Sequence, residues 1–254
     1  MKKKKRILLK IGSNTLTKET DNISRGKIED VANQIAKLKE TCEFIIVSSG
    51  AIAVAKQFVK LESKQSAIFV KQALASIGQP HLIRIYQEIF REYGLLSSQC
   101  LLSYSDFEKE ESKTNITNTI NVLVNNNYIP IINENDTVAT DEIKFGDNDK
   151  LAALTASLLE VDLLIIATNT NGIYTKKSIE ENSPKTILNV TDFEALKNEI
   201  VNSKSSHGSG GMASKIEAAT VAKKANIETW IVNGLKDNFL TDVFNSNVPF
   251  TKIK

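Results

Sequence analysis

The run Glu43-Phe-Ile-Ile-Val47 passes directly into Ser48-Ser49-Gly50-Ala51. Four consecutive apolar residues without polar alternation read as a short strand buried on both faces, and the small residues after it read as a turn opening a helix. The same arrangement recurs along the chain. Arg6 to Ile11 is a short apolar run ending at Gly12-Ser13; Tyr128 to Asn133 and Leu163 to Ala167 are further strand candidates, with Leu95 to Leu102 another, and Glu228 to Val232 reads as the final core strand. Helical patterns lie between them. Ser24 is a candidate N-cap for a helix through about Lys39, with Ile28, Val31, Ile35 and Leu38 at helical spacing. A long helical region covers Ser66 to Tyr93, with Pro80 expected to break or kink it near Gly78. Thr114 to Asn126 and Met212 to Ala225 read as helices, and Asp147 or Asn148 as the cap of one reaching about Glu160. Asn135 to Gly146 reads as a long loop or small hairpin, Asn169 to Thr191 as irregular, and Asn202 to Gly211 as a Ser/Gly loop. Strands alternating with helices predict an α/β fold, a mostly parallel sheet with helices on both faces.

The chain has 254 residues, enough for one large α/β domain or two small ones. A formal net charge of +2 is too small to imply a nucleic-acid binder. The basic run Lys2 to Arg6 reads as a solvated lead into the first strand, with a nucleic-acid arm as the alternative. No apolar run approaches membrane-spanning length, and only Ile7-Leu8-Leu9 follows the basic start before Lys10, too short for a signal-peptide core. Cys42 and Cys100 lie far apart, and His81 and His207 cannot build a zinc site on their own. The expectation is a cytoplasmic protein with reduced thiols, binding neither membrane nor nucleic acid.

Four segments carry the chemistry. Lys10-Ile-Gly12-Ser13 leaves the end of the first strand, where a lysine points into the usual ligand crevice and Gly12 lets the backbone approach a phosphate. A turn with a surface lysine fits the same letters. Ser48-Ser49-Gly50-Ala51 could hold an anion on free backbone N–H groups, or be a capped turn. Ile131-Ile-Asn-Glu-Asn-Asp136 and Gly146-Asp147-Asn148-Asp149 crowd polar groups behind a buried strand and at a helix start. Capping explains one of these carboxylates; it does not explain Asn133, Asn135, Asp136, Asn148 and Asp149 together. Gly208-Ser-Gly210-Gly211-Met212-Ala-Ser214-Lys215 is a glycine-rich loop opening a helix, without the spacing of a Walker A motif. It suits a polyphosphate, with a flexible linker as the alternative. Lysines and N–H groups around a polyphosphate, with carboxylates nearby, are the parts of a phosphoryl-transfer site.

In this order and spacing the segments resemble the amino-acid kinase family, over nearly the whole chain. The most specific pieces are Val47-Ser-Ser-Gly-Ala-Ile-Ala53, Pro130 to Ala139, Glu142 to Asp149 and Gly208-Ser-Gly-Gly-Met212. The resemblance implies a three-layer α/β/α sandwich. It also implies ATP-dependent phosphorylation of the γ-carboxylate of L-glutamate, the first step toward proline. Residues 1–254 would form one kinase domain, the N-terminal half binding the amino acid and the C-terminal half the nucleotide. On matching positions, Lys10 and Lys215 would flank the phosphoryl group and Asp149 would hold both lysines. Ser49, Asp136 and Asn148 would bind glutamate, Ser49 and Asn148 at its carboxylates and Asp136 at its ammonium, with Asn133 and Asp147 beside them. Gly12, Ser13, Gly50 and Ala51 would supply backbone donors near the phosphates. Thr168 and Asn169, with Ser209, Gly210, Gly211, Met212, Ala213, Ser214 and Lys215, would line the ATP pocket. Mg2+ would ride on the phosphates with few direct protein ligands.

The resemblance further implies a homo-oligomer (a dimer or tetramer), feedback inhibition by proline, and a reductase that takes the unstable glutamyl phosphate. Many members carry Thr-Asp where this chain has Thr168-Asn169, so an altered nucleotide preference is expected. Many bacterial members also carry a C-terminal PUA domain, expected to be absent here because the kinase elements run to Lys254. Two other readings remain: a sibling kinase acting on acetylglutamate, aspartate, carbamate or UMP, and a non-catalytic sensor of amino acid and nucleotide.

Overall fold

Parity along the strands sets the layers, because successive side chains of a strand point to opposite faces. In the computed structural model, which describes residues 3–18, 20–61, 66–139, 148–193, 196 and 211–254, strand β1 (Lys5–Ile11) sends Ile7, Leu9 and Ile11 into one apolar cluster and Leu8 into another. β2 (Cys42–Ser48) divides the same way, Phe44 and Ile46 against Ile45 and Val47, as does β5 (Leu163–Thr168), Leu163 and Ile165 against Leu164 and Ile166. Strands buried on both faces need a helix layer on each. The first face packs α2 (Arg25–Leu38), α4 (Ala67–Glu92) and α9 (Phe239–Phe244) through Ile28, Val31, Tyr86, Phe90 and Phe239. The second packs α5 (Glu110–Asn125), α6 (Asp149–Leu158) and α8 (Met212–Lys224) through Ile120, Leu151, Ala152, Ala218 and Ala222. The result is a three-layer α/β/α sandwich.

With β3 (Leu96–Leu102), β4 (Tyr128–Glu134), β6 (Asn189–Val190), β7 (Glu228–Asn233) and β8 (Thr251–Ile253), the described strands form one eight-stranded sheet in the order β3-β4-β2-β1-β5-β7-β8-β6. Pairing is parallel from β3 to β7; β8 runs antiparallel to β7, and β6 parallel to β8. From β1 the chain passes first to β2 on one side and later to β5 on the other. That reversal of direction opens a crevice at the carboxyl ends of β1, β2, β4 and β5. In register, Ile11 lies beside Ser48 and Ala167, and Val47 beside Ile132, so Lys10, Ser49, Asn133 and Thr168 end at one edge.

Four expectations need correction. Pro80 does not break its helix; α4 runs as one element from Ala67 to Glu92 with Pro80 inside. A helix-interior proline costs about 3 kcal/mol. The buried Leu74, Leu82, Ile83, Tyr86, Ile89 and Phe90 lie on both sides of it, each contributing about 1.5–3 kcal/mol when fully buried, so packing wins. α5 begins at Glu110 rather than Thr114, with Glu110 and Glu111 in the first turn where the helix dipole favours them. The stretch 169–191 is not wholly irregular: it contains α7 (Lys176–Glu180), capped by Thr175, and the two-residue β6. β7 is not the last strand, because Thr251–Ile253 adds an antiparallel strand beside it. Ser24 caps α2 as expected, its side chain accepting from the Lys27 N–H. Of the Asn135 to Gly146 loop, residues 140–146 lie outside the described residues, as do 202–210 of the Ser/Gly loop.

Candidate active site

Among the described residues α5 and α9 start without a side-chain cap, and so do four helices whose first turns carry predicted site residues. These four are α1 (Ser13–Thr17) behind Gly12, α3 (Ala51–Lys56) behind Gly50, α6 behind Asn148 and α8 behind Gly211. α2, α4 and α7, by contrast, are capped by Ser24, Ser66 and Thr175. First-turn N–H groups without side-chain acceptors carry partial positive charge and suit an anion. Gly50 has φ +112°, a conformation that side chains rarely adopt, which places the turn from β2 into α3.

The centre of the edge is ionic. Lys10 sits on the face of β1 that looks toward α6 and α8, and its Nζ lies 2.6 Å from Asp149 Oδ1. Lys215, in the first turn of α8, places Nζ 3.0 Å from Asp149 Oδ2. The Ser214 hydroxyl also contacts Oδ2, at 2.9 Å. All three charged groups are buried: Lys10 is 3% exposed, Lys215 6% and Asp149 0%. Burial alone would raise the Asp149 pKa; the Lys10 and Lys215 ammoniums outweigh it and hold the carboxyl well below the usual range. Both ammoniums thus meet at the one Asp149 carboxylate, one on each oxygen. Gly12 adjoins it, since a Cβ there would stand 3.2 Å from Lys10 Nζ.

Beside it lies a buried amide cluster. Asn148 occupies the N-cap position of α6 but does not cap it; its Nδ2 donates to Asn133 Oδ1 (2.8 Å), Ser49 Oγ (3.2 Å) and the Ser48 carbonyl (3.3 Å). Asn133 Nδ2 donates to Gln79 Oε1 at 2.8 Å. Asp136 follows β4 by two residues, and Gln72 Nε2 holds its carbonyl at 3.2 Å. Burial, followed by the charge of nearby Glu134, pushes the Asp136 carboxyl up to about 7.

The structure therefore brings Lys10, Lys215, Asp149 and Ser214 into one cluster and Ser49, Asn133 and Asn148 into another. Asn148 and Asp149, adjacent at the start of α6, join the two. Thr168 ends β5 and is buried, its carbonyl accepting from the Gly234 N–H, whereas the neighbouring Asn169 is exposed. Ser13, Gly211, Met212 and Ser214 are half-buried at the starts of α1 and α8, Ala213 is exposed, and Ala51 is buried at the start of α3. Asp147, Ser209 and Gly210 lie outside the described residues. Among the described residues no group of three or more His, Cys, Asp or Glu is placed to hold a metal, and no helix is long and apolar enough to cross a membrane.

Sequence reasoning missed the contribution of α4. Gln72, Gln79 and Tyr86 lie seven residues apart on that helix and reach, in turn, the Asp136 carbonyl, Asn133 and Ser48. Tyr86 is fully buried, with its OH 3.0 Å from Ser48 Oγ, and burial raises its pKa. The available signal was polar residues at heptad spacing on the face that carries Leu82 and Ile89.

Comparison with known proteins agrees with this architecture. The amino acid kinase family model matches residues 5–233. Two similar proteins are the glutamate 5-kinases of Thermoanaerobacter sp. (strain X514), 41% identical over 242 residues and 94% of this chain, and of Alkaliphilus metalliredigens, 40% identical over 241 residues and 94% of this chain. The chain spans 65% of the length of the first and 91% of the second. Among solved structures, the carbamate kinase of Giardia lamblia bound to AMP-PNP superposes with TM-score 0.69 at 14% identity, covering 100% of this chain and 99% of that one. The UMP kinase of Ureaplasma parvum gives TM-score 0.64 at 18% identity, covering 99% of both chains. At those identities the structures attest the fold. The chain belongs to the amino acid kinase family.

Proposed function

We propose that this chain phosphorylates the γ-carboxylate of L-glutamate at the expense of ATP, giving L-glutamyl 5-phosphate, the first step toward proline. The observation that carries the reading is the buried Lys10–Asp149–Lys215 cluster at the edge where α1, α3, α6 and α8 begin without side-chain caps. Similarity to glutamate 5-kinases at about the same identity over 94% of the chain supports the choice of acceptor. In this reading residues 1–254 form one kinase domain, the N-terminal half holding the amino acid and the C-terminal half the nucleotide.

The chemistry needs no general base, since the acceptor carboxylate is already ionised at neutral pH. The difficulty is that two anions must meet. Lys10 and Lys215 lower that repulsion and stabilise charge on the transferring group, and Asp149 keeps both ammoniums aimed rather than free to swing. The Ser49 hydroxyl, which accepts from Asn148, keeps its own proton to donate to a substrate carboxylate. Asp136, once ionised, offers a buried carboxylate to the α-ammonium. Backbone donors at Gly12, Ser13, Gly50 and Ala51 and the start of α8 would receive the phosphates, and Thr168, Asn169 and residues 209–215 the rest of the nucleotide.

Both oxygens of Asp149 are taken by lysines, which leaves a divalent cation to be held by phosphate oxygens. That suits Mg2+, which keeps several waters and takes few carboxylates in such sites. When bound there, Mg2+ supplies further neutralisation of phosphate charge. Proline occupying the acceptor site, a reductase that consumes the labile acyl phosphate, and assembly into a dimer or tetramer belong to the same proposal.

A hydroxamate-trapping assay tests it. Protein, Mg-ATP and hydroxylamine are mixed with L-glutamate, N-acetylglutamate or aspartate. Hydroxamate from glutamate alone is expected. Product only from another acceptor would replace the substrate, and none from any would favour a sensor.

A further inference from the structure

The amide cluster behind Ser49 has a definite polarity, set at both ends by backbone groups that cannot reverse roles. The Glu134 N–H can only donate, and it meets Asn133 Oδ1 at 2.9 Å. The Ser48 carbonyl can only accept, and Asn148 Nδ2 faces it at 3.3 Å. Asn133 must therefore turn its oxygen toward Glu134 and Asn148, and its Nδ2 toward Gln79 Oε1, 2.8 Å away. Asn148 in turn commits its Nδ2 to protein acceptors. Its Oδ1 is left buried and without a hydrogen-bond partner among the described residues, on a residue with 0% exposure. Asp136 Oδ1 is in the same condition. A buried acceptor without a donor costs about 1–3 kcal/mol. Two such acceptors in one acceptor site call for a ligand that brings hydrogens.

Resting on the glutamate reading above, we infer that Gln79 is a positioning residue for acceptor recognition: through Asn133 it holds the Asn148 amide with its oxygen toward the substrate, so that Asn148 receives the α-ammonium instead of donating to a carboxylate. Without the Gln79 oxygen, Asn133 Nδ2 and Asn148 Oδ1 both lack partners. A concerted turn of the two amides pairs them with each other. It sacrifices the contacts to the Glu134 N–H and the Ser48 carbonyl, and it swings the Asn148 NH2 toward the ammonium it would otherwise attract. Gln79 tips the balance between these two arrangements. It does so from α4, outside every glycine- or aspartate-rich segment of the chain.

The test compares wild type, Gln79→Leu and Gln79→Glu in the hydroxamate assay, with L-glutamate and with glutarate, which has no ammonium. Leucine removes the acceptor oxygen; glutamate keeps it. For Gln79→Leu the expected result is a rise of about tenfold or more in the glutamate KM, with kcat and the ATP KM within about twofold, and a matching fall in the preference for glutamate over glutarate. Gln79→Glu should recover most of both. A wild-type glutamate KM and preference in Gln79→Leu would overturn the inference, as would a Gln79→Glu enzyme impaired as severely as Gln79→Leu. Should Gln79→Leu fail to fold, Gln79→Glu decides: near-wild-type values support the relay, and a tenfold loss overturns it. Absence of product from wild type with glutamate would overturn the glutamate reading itself, and this inference with it, before any variant is compared.

Discussion

Replacing Asp149 by Asn removes one negative charge from between two buried ammoniums and changes almost nothing in shape. Worked with an effective dielectric of about 20, unit charges at 2.6 Å and at 3.0 Å attract by about 6 and about 5.5 kcal/mol. Against this stands the desolvation of three ions, several kcal/mol each. The pair interactions thus contribute little net stability while intact, but breaking them takes the Asp149 charge away from two buried cations, and loss of one partner of a buried pair typically costs about 3–5 kcal/mol. Asp149→Asn should therefore lower stability by about that amount without nucleotide. A polyphosphate restores an anion to both lysines, so Mg-ATP should stabilise the variant more than it stabilises wild type. Denaturant titrations of both proteins, with and without saturating Mg-ATP, give the four free energies required. Equal stability of the two proteins without nucleotide, or an equal gain from Mg-ATP in both, would refute the claim that these lysines depend on Asp149 and face the phosphates.

Lys10→Ala and Lys215→Ala should each reduce kcat by about 10²–10³ while changing the KM for ATP and glutamate far less, because their charge matters most in the transition state; intact turnover with weakened glutamate binding would contradict this. Asp136, with its folded pKa raised to about 7 against an unfolded value near 3.9, binds a proton in the folded state that the unfolded chain has lost, so its contribution to stability falls as pH rises through that window. Its ability to hold an ammonium changes in the opposite sense. The glutamate KM should fall as pH rises from 6 to 8, Asp136→Asn should flatten that profile, and Glu134→Gln should move its midpoint to lower pH. Gly78→Ala would drive a Cβ to 1.8 Å from the Ala51 carbonyl oxygen, separating α4 from α3. A loss of at least about 3 kcal/mol in denaturant titration is expected, and an unchanged midpoint would show that the helices do not meet as described. Asn169→Asp should alter the ratio of ATP to GTP affinity in nucleotide titrations; an identical ratio would remove Asn169 from nucleotide selection.

Much of this protein is written locally. Phe44-Ile-Ile-Val47 and Leu163 to Ala167 read as strands buried on both faces, because each run is short, apolar on both sides and rich in β-branched residues, and turn-forming residues follow it. That alone requires two helix layers. Lys10, Ser49, Asn133 and Thr168 each lie at the end of such a strand, so their arrival at one edge follows from parallel pairing. Tertiary structure decided what local pattern could not carry. Pro80 reads as a breaker because propensity is counted residue by residue, whereas the helix around it is held by burial on both sides. β8 is three residues long and is held as a strand by β7 on one side and β6 on the other. Gln72, Gln79 and Tyr86 look like ordinary helix positions until the packing of α4 brings them to Asp136, Asn133 and Ser48. The orientation of the Asn148 amide depends on hydrogen bonds to residues 15 and 100 positions away in the chain. Strand identity is a property of a few adjacent side chains; the direction in which a buried amide points is a property of everything packed around it.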